Sequence, residues 1–430
     1  MRSINNFIFR FFNGIKEIIS NRKKLILFIC ITLFINILNA LEFVYYAIFP
    51  RNIVSEVLFA ITEPLTIIVI ITLFGIPLET NRISKGFYKI GFYNKVNEIP
   101  QLLSRKHLSK DTDIIVYTFK SPYLSLADWE KAKERIETII GYDIMKIDFG
   151  TTSTIIKIYA VDLDKYFSKT ILWNNNDLIS DDCTLLLGVS AFEKVTINLN
   201  HVPHSLIAGN TGSGKSTIFK LFLWQCLLKN MKVYIADFKG GLDFGSVWHE
   251  KSRIITNEKE FLDILISIKA ELKRRTDILV STGCRDIEEY NSQNYEKLNR
   301  IIIACDEVAE LLDKTGLKKS TDKTRLELME KIEEHIMSIA RLGRAFGIHL
   351  ILSTQKPSAE IINGQIKSNL GNRICGSADK ILSQMVLDNT SASDKIPANT
   401  KGVFITQNGT LFKAYLLNEN NLKVKEHDKK

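Results

Sequence analysis

Gly209-Asn210-Thr211-Gly212-Ser213-Gly214-Lys215-Ser216-Thr217 fits the pattern G-x-x-x-x-G-K-[ST] of a phosphate-binding loop. The flanks are those the motif requires. Ser205 to Ala208 is an apolar run that reads as a strand, and Ile218 to Leu228 reads as a buried helix. The glycines allow backbone N–H groups to turn inward around phosphate oxygens, and the helix start adds its partial positive charge. In this loop type Lys215 reaches the β- and γ-phosphates, and the Ser216 hydroxyl holds Mg²⁺.

Around the loop the chain alternates strands and helices from about Leu185, the mark of a parallel sheet covered by helices. Strands are expected over Lys232–Asp237, Arg300–Glu307 and His349–Gln355, and a helix over Glu260–Leu279. Gly402–Thr406 and Thr410–Leu417 flank Asn408-Gly409, a hairpin signature. Ligands of open α/β sheets bind outside the carboxyl ends of strands. Asp306-Glu307 follows one such strand: Asp306 is expected to hold Mg²⁺ through its water shell, and Glu307 to orient the attacking water. Gln355 follows another and is placed to touch the γ-phosphate or the water. Arg341, Arg344 and Arg373 are the arginines available to neutralise transition-state charge, with Arg373 preferred. Lys314, Lys318, Lys319, Lys323 and Arg325 form a basic cluster that is either a phosphate-backbone contact or an ordinary solvated loop.

The amino-terminal part carries a different signal. The 430 residues have a formal net charge of +9, concentrated in two places. Residues 1–24 hold six Lys/Arg against Glu17 alone, and residues 79–110 hold seven against Glu79 and Glu98. Between them lie two apolar runs, Leu25–Phe49 and Ile53–Leu78, separated by Pro50-Arg51-Asn52. Each is long enough to span a hydrocarbon core of about 30 Å. The basic flanks place the amino terminus and the large carboxyl-terminal part in the cytoplasm of a multi-pass cell-membrane protein. Glu42, Glu56 and Glu63 inside the runs call for a partner span or an interface. Residues 1–24 form an amphipathic helix that either lies in the membrane interface or packs on the protein. The six scattered cysteines contain no CxxC pair and read as buried thiols, with no metal site. The expected organisation is 1–24 basic segment, 25–78 transmembrane hairpin, 79–184 juxtamembrane linker and small α/β adaptor, 185–417 motor domain and 418–430 charged tail. The adaptor is expected to contain strands over Ile114–Phe119 and Thr154–Val161 and a helix over Ala127–Ile140.

Several stretches together resemble the FtsK/SpoIIIE family of ring-forming DNA-pumping ATPases. Pro203–Gly209 runs into the phosphate loop, and Glu271–Arg275 through Gly283–Asn291 is similar to the family's "ERR…G.R.…YN" segment. Ile302–Glu307, Ala340–Ser358, Ile366–Ile374 and Ser383–Asp388 complete the likeness, which covers roughly 185–417. The resemblance implies a RecA-like P-loop NTPase motor, ATP with Mg²⁺ as cofactors, hydrolysis between subunits of a hexameric ring, and DNA as partner. Two spans, a short linker and no room for a winged-helix reader look more like the coupling ATPases of Gram-positive conjugative elements, whose partners are a relaxase and channel proteins. A chromosome or sporulation pump for double-stranded DNA and a protein-secretion ATPase remain the alternatives.

Overall fold

The computed structural model describes residues 2–48, 53–108, 113–318, 320–356, 364–419 and 422. The chain divides into two compact units, Met1–Ser168 and Lys169–Lys430.

The first unit opens with three helices, α1 (Arg2–Ser20), α2 (Arg22–Ile48) and α3 (Ile53–Phe74). α1 packs against the end of α3 with backbones in contact. A Cβ on Gly14 would fall 1.8 Å from the Ile71 carbonyl oxygen, and one on Gly75 would fall 2.0 Å from that of Arg10. Asn13 donates to the Gly75 carbonyl at 2.9 Å, and Glu17 pairs with Lys24 at 2.7 Å and Lys106 at 2.9 Å. α1 thus packs on the first unit, while Phe7, Phe12 and Ile19 stay exposed. Among the described residues no helix is long and apolar enough to cross a membrane. Residues 49–52, the side chains of Glu42, Glu56 and Glu63, and the charged tail from Lys423 lie outside the described residues.

Residues 79–110 are not a linker. They hold α4 (Thr80–Lys89) and β1 (Gln101–His107). Next come β2 (Ile115–Lys120), α5 (Leu126–Lys131), α6 (Lys133–Ile140), β3 (Asp143–Phe149), β4 (Ile155–Val161) and α7 (Leu163–Ser168). The sheet is antiparallel in the order β1-β2-β4-β3. Ile83 and Phe87 of α4 share its core with Phe92, Leu102, Phe119 and Trp129. Their i, i+4 spacing was masked in the sequence by the interleaved Lys and Arg. The helix expected over 127–140 is two, broken at Ala132, with Ser125 and Asp128 forming a capping box at the first.

The second unit contains β5 (Ile171–Leu172), β6 (Thr184–Ser190), β7 (Lys194–Asn198), β8 (Ser205–Ala208), α8 (Lys215–Leu228), β9 (Lys232–Ala236), α9 (Ser246–Lys251), β10 (Arg253–Ile255), α10 (Glu258–Thr282) and α11 (Ile287–Gln293). It continues with β11 (Ile301–Cys305), α12 (Val308–Leu312), α13 (Lys323–Leu342), β12 (Ile348–Thr354), α14 (Gly364–Asn369), β13 (Asn372–Cys375), α15 (Lys380–Leu387), α16 (Ser391–Lys395), β14 (Val403–Thr406) and β15 (Leu411–Leu416). One sheet runs β10-β9-β11-β12-β8-β13-β14-β15-β6-β7. It is parallel from β10 to β13 and antiparallel beyond. β5 pairs with β15, and Trp173 and Ile179 pack on this core, so residues 169–184 belong here rather than with the adaptor. β11 and β12 are buried at every position, as strands covered on both faces must be.

The Glu271–Arg275 stretch is structural. Arg275, almost fully buried, donates to the carbonyls of Phe346 at 2.6 Å and Asn299 at 2.7 Å, and pairs with Glu271 at 2.8 Å. It thereby ties α10 to the approaches of β12 and β11. Hydrogen bonds from Arg274, with a further one from Arg275, hold the Glu271 carboxyl down at about 2 against the upward push of burial. A depressed carboxyl contributes stability above its unfolded value near 4.5 and loses it as pH falls towards 2. Arg275→Ala is expected to cost about 3 kcal/mol in denaturant unfolding. Wild type should lose stability between those pH values more steeply than Glu271→Gln; equal slopes would remove Glu271 from the account.

Candidate active site

The loop between β8 and α8 takes its shape from backbone that only glycine adopts without strain. Gly209 has φ +156° and Gly214 φ +97°. A Cβ on Gly209 would also meet Ser213 Oγ at 2.6 Å, and one on Gly214 the Gly402 nitrogen at 3.0 Å. The loop is held from outside: Asn210 N donates to Ser377 O, and Gly402 N to Ser213 O, each at 2.8 Å. α8 begins at Lys215, so its unsatisfied N–H groups open onto the loop. Ser213 Oγ is buried and has no partner.

The ends of β8, β11 and β12 converge here because these strands are neighbours in parallel register. Lys215 is 5% exposed. Its Nζ donates to the Asp306 carbonyl at 3.2 Å and lies 3.4 Å from Glu307 Oε2. Glu307 accepts from Thr354 Oγ1 at 2.7 Å and from Gln355 N at 3.0 Å. Gln355 Oε1 in turn accepts from Thr211 Oγ1 at 2.7 Å. The carboxylate expected to orient water is thus fixed in direction by two donors from β12's end, with Lys215 as its counter-charge. Lys215, Asp306, Glu307, Gln355 and the loop residue Thr211 form one site. Thr354 was missed in the sequence; a threonine ending an apolar strand beside Gln355 was the available signal.

Asp306 is 3% exposed, and its Oδ1 has no partner. Burial pushes its carboxyl above the ordinary range, against the pull of Lys215 and Lys239. Lys239 Nζ stands 3.7 Å from Asp306 Oδ2. Burial lowers the Lys239 ammonium's affinity for its proton, but the charges of Asp306, Glu310, Asp243 and Glu307 more than offset this. Ser216 is exposed on the first turn of α8. Among the described residues no group of three His, Cys, Asp or Glu side chains could hold a metal alone. A magnesium ion held by one carboxylate, one hydroxyl and phosphate oxygens needs no such group. The orphaned Asp306 oxygen and the free-standing Ser216 fit that donor set.

The arginines lie elsewhere. Arg373, on β13, donates to Leu370 O at 3.0 Å and pairs with Asp388 at 2.5 Å, with its side chain 10% exposed. It is committed to the packing of α15, not to the phosphate loop. Arg344 donates to Asn200 O at 3.0 Å. Arg341, at the end of α13, is exposed, and its side chain makes no hydrogen bond or ion pair among the described residues. In the basic cluster, Lys314 pairs with Glu333 at 2.7 Å and Arg325 with Glu258 at 2.9 Å. Lys323 lies 3.9 Å from Glu327, while Lys319 is outside the described residues.

The FtsK/SpoIIIE family model matches residues 180–359, a stretch that holds the loop, Asp306, Glu307 and Gln355. The pCW3 conjugation coupling protein TcpA, solved in a monomer form with ATPγS, is 32% identical with a TM-score of 0.59, over 80% of this chain and 96% of that one. The chain belongs to the FtsK/SpoIIIE family. Among curated relatives, DNA translocase SftA of Bacillus subtilis (strain 168) is 31% identical over 227 residues, 50% of this chain and 22% of SftA. DNA translocase FtsK of Caldanaerobacter subterraneus subsp. tengcongensis is 33% identical over 206 residues, 46% of this chain and 27% of that protein. The chain therefore spans only about a quarter of the length of these two relatives. Arg373 lies outside the matched family segment.

Lys215→Ala is expected to abolish tight nucleotide binding, read by fluorescent-nucleotide titration. Glu307→Gln should bind nucleotide like wild type and lose turnover by about 100-fold or more. Normal turnover in that variant would remove Glu307 as the group that activates water.

Proposed function

We propose that this chain is a membrane-anchored, ATP-driven DNA translocase that serves as the coupling ATPase of conjugative transfer, delivering relaxase-bound DNA to a secretion channel. The observation that carries the reading is the extent of the likeness to the conjugation coupling protein. It spans 80% of this chain, more than the second unit alone, so it extends beyond the motor. The second reading is a chromosome-type pump for double-stranded DNA. It is favoured by the curated relatives, which are DNA translocases matched over about half of this chain.

In the proposed cycle ATP lies on the loop with its β- and γ-phosphates at Lys215. Ser216 and Asp306 would hold Mg²⁺, which would supply charge neutralisation at the phosphates. Lys215 moves from Glu307 to the phosphates, which frees a Glu307 oxygen for water. Gln355 and Thr211 link the loop to β12, so loss of the γ-phosphate is transmitted to the strand end. Ring assembly supplies an arginine from the neighbouring subunit, and exposed, uncommitted Arg341 suits that role better than Arg373. Membrane anchoring rests on the apolar runs 25–49 and 53–78 and their Lys/Arg flanks.

The test is ATP turnover by the full chain with no DNA, single-stranded DNA or double-stranded DNA over a salt series. DNA stimulation that fades with salt is expected. Preference for single strands supports the coupling role and preference for duplex supports the second reading. Lys215-dependent turnover that ignores both DNA forms would contradict DNA as cargo. Arg341→Ala should lower stimulated turnover by about 1,000-fold while leaving nucleotide binding intact; unchanged turnover would exclude it as the donated arginine.

A further inference from the structure

Two carboxylates on neighbouring strand ends each bury an oxygen that has no partner. They are Asp306 Oδ1 after β11 and Asp237 Oδ2 after β9. The strands are parallel with Cys305 opposite Ala236, and Asp306 N donates to Ala236 O at 3.2 Å, so the two side chains leave adjacent backbones. Asp237 is 2% exposed. A buried carboxylate oxygen without a donor is strongly unfavourable unless a cation or its water fills the gap. The other oxygen of Asp237 is already used: it accepts from Lys239 N at 3.1 Å. That bond shapes the turn which brings Lys239 Nζ to 3.7 Å from Asp306 Oδ2. The turn after β9 therefore supplies one ammonium to the acid expected to face magnesium, and beside it one unused carboxylate oxygen.

We propose that Asp237 is a positioning residue of the cation site: its Oδ2 holds a water of the hydration shell of a divalent cation at Asp306 Oδ1, and Lys239, beside the acid's other oxygen, supplies a positive charge that competes with the cation. The proposal rests on the reading of this site as a magnesium–nucleotide site. Magnesium gives up its waters reluctantly, so a carboxylate that acts through water suits this ion. Partners of this outer kind typically change metal affinity by 10–100-fold. The two residues have opposite signs. Asp237 favours the cation, and Lys239 competes with it.

The experiment is binding of a fluorescent, non-hydrolysable ATP analogue to the full chain during Mg²⁺ titration. Asp237→Asn keeps the acceptor for Lys239 N and should raise the Mg²⁺ needed for half-maximal tight binding by about 10-fold, with metal-free nucleotide affinity unchanged. Lys239→Met should lower the Mg²⁺ needed. An unchanged Mg²⁺ requirement in Asp237→Asn, or equal loss of metal-free and metal-bound affinity, overturns the proposal. If Asp237→Asn does not unfold cooperatively, Lys239→Met decides alone, and an unchanged or raised Mg²⁺ requirement overturns it. Wild type that binds no nucleotide, or binds it without regard to Mg²⁺, refutes the underlying reading instead.

Discussion

One buried ammonium organises the motor unit. Lys215 is 5% exposed, and its charge is compensated by the carbonyl of Asp306 and the carboxylate of Glu307. A lysine so buried requires such partners, and truncating one of them would leave a desolvated charge. The groups arrive on separate elements: Lys215 at the start of α8 through the glycine loop, Asp306 and Glu307 just after β11, and the donors that fix Glu307 at and just after the end of β12. The parallel order β11-β12-β8 brings these ends together. The opposed charges also suit a cycle, since phosphate can take the ammonium from Glu307 and return it.

Four of the six parallel strands, β8, β9, β11 and β12, were legible in the sequence because each is a mainly apolar run that ends abruptly in polar or glycine residues, whereas β10 and β13 are short and begin with charged or polar residues. Ile301 to Cys305 followed by Asp306 and Glu307 is such a stretch. The hairpin β14–β15 was legible from Asn408 and Gly409, the latter with φ +83°. Lys215, Asp306, Glu307 and Gln355 were found because strand ends and loop geometry leave little freedom. The pairing of Arg373 with Asp388, 15 residues away, was not legible in the sequence. β6 and the stretch 169–184 were hard to place because their partner, β15, lies more than two hundred residues downstream, and β7 joins the sheet only through β6. Residues 79–110 looked like a linker because charge density obscured four core residues.

The antiparallel half also closes the loop. Ser377, after β13, and Gly402, before β14, hydrogen-bond the phosphate loop on its outer side. Gly376 has no side chain because a Cβ there would lie 3.0 Å from both Phe404 and Ser213. The loop is thus clamped between the strand ends that carry its chemistry and a hairpin that only packs. A loop held on both sides is preorganised for phosphate.

The central claim is that this site drives movement along DNA. It is tested most directly by displacement of streptavidin from end-biotinylated single- and double-stranded DNA by the full chain with ATP, with Glu307→Gln alongside. The account predicts ATP-dependent displacement by wild type and none by Glu307→Gln, which still binds nucleotide. DNA-stimulated ATP turnover without displacement from either DNA form would contradict it.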